Sequence, residues 1–183
     1  MKSNTFNDLV KPVIVLAVIC IVVSALLAVT NGVTAPVIAE NDRITTLNAY
    51  LDVLPEGLTA EDLADVAVTT EGVASAVKTP DGCFAIKAAA KGFDGGLVTT
   101  ILGFDADGNI CGIWADCSTQ TAGMGSKCAD PAFTDQFVGL SGASALTLNV
   151  DVQQVSGSTV TSSAFVNAVN SAITCYNEVK GAA

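Results

Sequence analysis

One membrane-spanning helix followed by a single α+β domain is the architecture this sequence predicts, and three features point to it. An uncharged apolar run lies near the N-terminus, β-forming segments separated by glycine turns fill the middle, and an amphipathic segment closes the chain. At 183 residues there is room for one ordinary domain plus an anchor, and not for two large domains.

The apolar run comes first. Residues 13–29, VIVLAVICIVVSALLAV, carry no charge, and residues 30–33 extend them with weakly polar side chains. A helix over 13–33 is long enough to cross a bilayer, which takes roughly 20 residues. The run exceeds the apolar core of a signal peptide, so we expect it to be retained as an anchor. Lys2 and Lys11 in the tail 1–12 place that tail in the cytoplasm by the positive-inside tendency, and the remainder outside it.

A linking helix is expected over 34–55, with Ala39, Ile44, Leu47, Leu51 and Leu54 at roughly helical spacing ahead of Pro55. The domain itself then occupies 56–183. Its first stretch, EGLTAEDLADVAVTTEG, is acidic and turn-rich, and Thr59 followed by Glu61 and Asp62 reads as a short helix start on the surface.

From residue 76 to 117, Asp81-Gly82, Gly95-Gly96 and Asp107-Gly108 punctuate at least three β-forming segments. LVTTILGFD and DGNICGIWAD alternate as the arms of a hairpin turning at 106–109, so an antiparallel sheet is expected. In the last segment, SSAFVNAVNSAITCYNEV, residues Ala164, Phe165, Ala168, Val169, Ala172, Ile173 and Tyr176 share one helical face, which predicts a closing helix packed on the sheet.

Composition excludes several functions. The net charge of −10, from 18 acidic and 8 basic residues, disfavours nucleic acid as a partner. The chain has no histidine, which removes the usual general base, zinc ligand and nucleophile-activating group, so no catalytic residue is assigned. None of the six cysteines forms a C-x-x-C pair, so no metal site is assigned either. The five cysteines beyond the anchor are expected as buried small side chains with some pairing, Cys117 and Cys128 being the pair to watch.

Two loops carry the candidate chemistry. Residues 155–163, VSGSTVTSS, form a hydroxyl-dense loop leading into the closing helix. A helix N-terminus favours phosphate, glycine permits close approach, and hydroxyls donate to phosphate oxygens. The plainer reading is that Ser156, Thr159 and Thr161 only cap the helix. The second loop, residues 119–127, reads TQTAGMGSK, and a simple turn is its plainer reading.

At Ser156-Gly157-Ser158-Thr159-Val160-Thr161 the chain resembles the FMN-binding domain family shared by RnfG and NqrC, components of two membrane redox complexes. The family motif reads Ser/Thr-Gly-Ala-Thr-x-Ser/Thr. Ser158 stands in place of the usual alanine, and Gln153 where an acid is usual, the nearest acid being Asp151. The second loop resembles the family's Glu-Thr-Pro-Gly-Leu-Gly, with Thr121, Gly123 and Gly125 matching and Gln120, Ala122 and Met124 departing. The glycine-rich turn Lys91-Gly92-Phe93-Asp94-Gly95-Gly96 and the turn at 105–108 match in order and spacing, so the likeness covers most of the chain.

The resemblance implies covalent FMN, esterified through its phosphate to Thr159, with Thr161 in the recognition motif and as fallback acceptor. It implies that Gly123 and Gly125 let backbone approach the flavin ring, that Met124 packs on it, and that Lys127 balances nearby negative charge. The function implied is electron transfer in an Rnf-type ferredoxin:NAD oxidoreductase complex that moves sodium ions or protons. Its partners would be the other membrane and redox subunits, the lipid bilayer and a flavin transferase. An NqrC-like protein or a stand-alone membrane flavoprotein is the alternative, and an anchored anion-binding domain without redox activity is the alternative of another class.

Overall fold

The structure is a computed structural model that describes residues 10–182 and divides into two units, up to Thr45 and from Thr46 onward. Helix α1 (Lys11–Val53) runs without a break through the apolar span and the expected linking segment. Pro36 lies inside it and leaves the Gly32 carbonyl, four residues earlier, without its usual intrahelical donor. Thr30 and Thr34 hydroxyls donate to the carbonyls of Leu26 (2.9 Å) and Thr30 (3.0 Å), so their polarity is satisfied within the helix. α1 is long and apolar enough to cross a bilayer, and Leu16, Ile21, Leu26 and Leu27 are exposed along it.

In the second unit, five strands form an antiparallel meander in chain order: β1 (Ala64–Val66), β2 (Val73–Lys78), β3 (Phe84–Lys91), β4 (Leu97–Phe104) and β5 (Ile110–Asp116). Registers such as Ile86 opposite Leu102 and Leu102 opposite Ile113 fix the alternation. Phe84, Ile86, Ala88, Val98, Leu102 and Phe104 therefore point to one face, and Ala85 and Ile101 to the other. The β4–β5 hairpin turns where the sequence predicts it. The acidic stretch, expected as surface alone, also contributes the short edge strand β1 after a 3-10 turn at Ala60–Asp62, which Thr59 and Asp62 cap reciprocally.

Beyond the sheet, the single-turn helix α2 (Pro131–Thr134) brings Phe133 edge-on to Phe165, 5.0 Å between ring centroids. Helix α3 (Thr159–Ala182) covers the first face of the sheet, and all seven residues of its predicted apolar stripe are buried. Tyr176 stacks on Phe104 at 4.4 Å between ring centroids and meets Phe84 edge-on at 5.6 Å. The foot of α1 covers the second face, where Ala49, Tyr50 and Val53 join Leu54 against Val77, Cys83, Ala85 and Ile101. Gly103 and Gly112, paired across β4 and β5, make room for it: a β-carbon on Gly112 would lie 2.5 Å from the Val53 carbonyl oxygen, and one on Gly103 would collide with the same atom.

All six cysteines are free thiols, so the expected pairing is absent. Cys83, Cys117, Cys128 and Cys175 are buried and serve as small apolar side chains, while Cys111 is half-buried and donates its thiol to the Val53 carbonyl at 3.3 Å.

Candidate functional site

The glycine-rich turn after β3, the loop after β5 and the start of α3 converge on the side chain of Gln120, which is 5% exposed. Its Oε1 accepts the Phe93 backbone N–H at 3.0 Å and the Thr161 hydroxyl at 3.0 Å, tying all three segments together. Gln120 fits only because its neighbours lack side chains. A β-carbon on Gly92 would stand 2.5 Å from Oε1, one on Gly96 2.7 Å from Nε2, and one on Gly125 2.8 Å from the Gln120 β-carbon. A buried polar group of this kind is stabilising only when its partners are in place, and here they are.

Above Gln120 lies an open cleft of about 360 Å³. Phe93 comes from the first segment, Thr121, Met124 and Gly125 from the second, and residues Gly157 to Thr161 from the third. The walls are apolar and uncovered: Phe93 (57% exposed), Met124 (49%) and Val160 (55%) are among the large hydrophobic side chains left outside any core. Gly157, at φ 78°, brings the third segment close to Met124, whose methyl would lie 3.4 Å from a β-carbon there.

The helix begins at Thr159, three residues before the segment expected for it, because the Ser158 carbonyl already accepts the Ser162 N–H at 2.8 Å. The hydroxyls of that first turn fall into two groups. Thr161 is 3% exposed and bonded to Gln120, and Ser162 Oγ accepts the Val155 N–H at 3.1 Å beside the Cys128 thiol. Thr159, by contrast, is exposed on the cleft, and Ser158, also a lining residue, carries a buried hydroxyl that has no partner among the described residues. Desolvation raises the Cys117 thiol to about 12, with Cys128 nearby adding to the effect, and burial pushes Cys128 up as well. Both thiols are therefore neutral supports beneath the loop.

Of the residues singled out in the sequence, Gly157, Ser158, Thr159, Thr161, Thr121, Met124 and Gly125 meet in this cleft. Ser156 and Gly123 sit in the same loops without lining it, and Lys127 is exposed on the 3-10 turn Gly125–Ala129, also outside the lining. Phe93, Val160 and Gln120 carry no role in the sequence reading. The signal for Phe93 is an aromatic residue in a glycine-rich turn, whereas Gln120 gives none, because Gly92 and Gly96 beside it come from another segment.

The cleft falls in a matched segment. Residues 92–174 match the model of the FMN-binding domain, and residues 1–53 match the model of the RnfG N-terminal region. The chain is 30% identical over 188 aligned positions to the G component of the Na(+)-translocating ferredoxin:NAD(+) oxidoreductase complex of Acetobacterium woodii, covering 91% of this chain and 90% of that protein. The fold is similar to the crystal structure of the C component of the Na(+)-translocating NADH-quinone reductase from Parabacteroides distasonis, at a TM-score of 0.56 and 14% identity over 75% of this chain and 92% of the other. With two family models placed on the anchor and on the cleft, and a relative aligned almost end to end, the chain belongs to the RnfG family.

Proposed function

We propose that this protein is the FMN-carrying electron-transfer subunit of an Rnf-type complex, with the flavin phosphate esterified to Thr159. The observation that carries the assignment is the contrast between two threonines: Thr159 is exposed on the cleft, whereas the Thr161 hydroxyl is buried and donated to Gln120. Attachment makes a bond from Thr159 Oγ1 to the phosphorus of an activated flavin nucleotide and breaks that phosphorus's bond to its leaving group. The hydroxyl proton passes to a base on the flavin transferase. Only an accessible hydroxyl can enter such an enzyme.

The residues present fit the cofactor. A cleft of about 360 Å³ lies within the range of small-molecule sites, roughly 300–1,000 Å³. The unpartnered Ser158 hydroxyl and the N-terminal amides of α3 suit a phosphate. FMN, when bound, supplies reversible one- and two-electron transfer. Phe93, Met124 and Val160 would offer the ring an apolar bed, Thr159 would hold its tether, and Gln120 joins the three walls through its hydrogen bonds. The open side of the cleft would leave such a ring accessible to a neighbouring protein of the complex.

The 30% identity to a ferredoxin:NAD oxidoreductase component supports the Rnf-type complex over an NqrC-type one, since the likeness to the latter is one of fold. The apolar span of α1 and the lysines ahead of it support a single-pass protein with the domain outside the cytoplasm. Mass spectrometry of the peptide containing Thr159 tests the attachment. The mass of FMN is expected in the native protein and in Thr161→Val, and not in Thr159→Val. Loss in Thr161→Val alone overturns the assignment. Protein made without the transferase is expected to fold and remain colourless.

A further inference from the structure

We infer that Ser158 supplies a hydroxyl ligand to the phosphate ester on the neighbouring residue. The inference rests on the attachment at Thr159 proposed above and adds a donor to it. A serine immediately before the first residue of a helix ordinarily turns its oxygen onto an amide of the first turn. Here it does not: Ser158 is 5% exposed, its Oγ has no hydrogen-bond partner among the described residues, and the residue is one of those that line the cleft. Its backbone is already engaged, the N–H donating to the Val155 carbonyl at 3.0 Å and the carbonyl accepting from Ser162 at 2.8 Å, so only the side chain is free to act.

Two neighbouring hydroxyls of the same helical turn are engaged elsewhere. Thr161 is committed to Gln120 at 3.0 Å and Ser162 to the Val155 amide at 3.1 Å. Leaving a hydroxyl buried and unpaired is costly, and the cost disappears when an acceptor arrives. The acceptor class is set by position. Ser158 opens a helix of 24 residues, whose first amides and positive end favour an anion, and a phosphodiester oxygen on Thr159 is an anion one residue away. A donor hydrogen bond to a charged oxygen is of the strong kind. Ser158 thereby orients the ester, and through it the plane of the ring against Met124 and Phe93.

The test uses full-length flavinylated protein in detergent, comparing wild type, Ser158→Ala and Ser163→Ala, the last removing a hydroxyl of α3 that does not line the cleft. Peptide mass spectrometry reports attachment, and ³¹P NMR reports the environment of the ester. Expected are a flavin mass in all three and a ³¹P resonance displaced in Ser158→Ala only. An unmoved resonance in flavin-loaded Ser158→Ala overturns the hydroxyl ligand and leaves the attachment standing. Absence of flavin from the wild-type peptide overturns the attachment and the ligand with it.

Discussion

Replacing Gln120 by leucine removes the one side chain that joins all three walls of the cleft. Two donors lose their acceptor, the Phe93 N–H and the Thr161 hydroxyl, each now at 3.0 Å from Oε1. Thr161 is buried, so its donor cannot turn to water and carries the full desolvation penalty, whereas the Phe93 amide sits nearer solvent and recovers part of its loss. At about 1–3 kcal/mol for a stranded buried group and about 1 kcal/mol for an ordinary bond, Gln120→Leu is expected to cost about 2–4 kcal/mol. Leucine is close in volume to glutamine, so little of this comes from a cavity. With a urea slope of about 2 kcal/mol per molar, the midpoint of unfolding falls by roughly 1–2 M.

Gln120→Glu separates the hydrogen bonds from the packing. One carboxylate oxygen still accepts from both donors, but the other faces Thr119 Oγ1, which now receives the Gln120 amide at 3.4 Å and donates its own proton to the Leu97 carbonyl at 2.6 Å. A loss intermediate between wild type and Gln120→Leu is expected. Denaturant unfolding followed by tryptophan fluorescence measures both variants, and an unchanged midpoint for Gln120→Leu refutes the role given to this residue.

Gly103→Ala places a methyl group against the Val53 carbonyl and is expected to cost about 3 kcal/mol, near the top of the overpacking range, with thermal unfolding as the check. Asp105 accepts the Asn109 and Gly108 amides at 2.8 and 2.7 Å, which hold its carboxyl below the usual range. A depressed carboxyl adds stability above its unfolded value near ~3.9 and loses it as pH falls through the lower folded value, so Asp105→Ala is expected to destabilise at pH 7 and not in strong acid; equal loss at both ends of a pH series of melts would contradict this. The Cys117 thiol, held protonated to about 12, is expected to resist alkylation in the folded protein. Because its unfolded value is near ~8.5, the fold loses stability as pH rises from there toward the folded value, and labelling of Cys117 ahead of global unfolding would sink the assignment.

Most of the fold is readable in the sequence because its signals are periodic. The seven apolar residues from Ala164 to Tyr176 repeat at helical spacing and all are buried, and the β4–β5 hairpin announces itself through Asp107-Gly108. β1 gives no such signal, since three residues, Ala64 to Val66, are too few to show alternation and lie on an edge among acidic neighbours. The start of α3 is hidden because hydroxyl residues favour caps and turns, and only the Ser158-to-Ser162 hydrogen bond shows that the helix has already begun. The walls of the cleft from the two loops are legible as motifs. Gln120 is not legible as a hub, because which buried polar group joins distant segments depends on contacts between residues 27 and 41 positions apart.

That dispersion bears on when the cleft comes into being. Its last wall opens a helix whose inner face, from Phe165 to Tyr176, is the main cover of the sheet. A chain cut short inside that helix keeps every lining residue in its sequence and still has no cleft, because nothing presses the hydroxyl turn toward Gln120. Under the attachment proposed at Thr159, modification would therefore report completed folding: a transferase that needed the assembled walls would discriminate against truncated or misfolded copies before they received a cofactor.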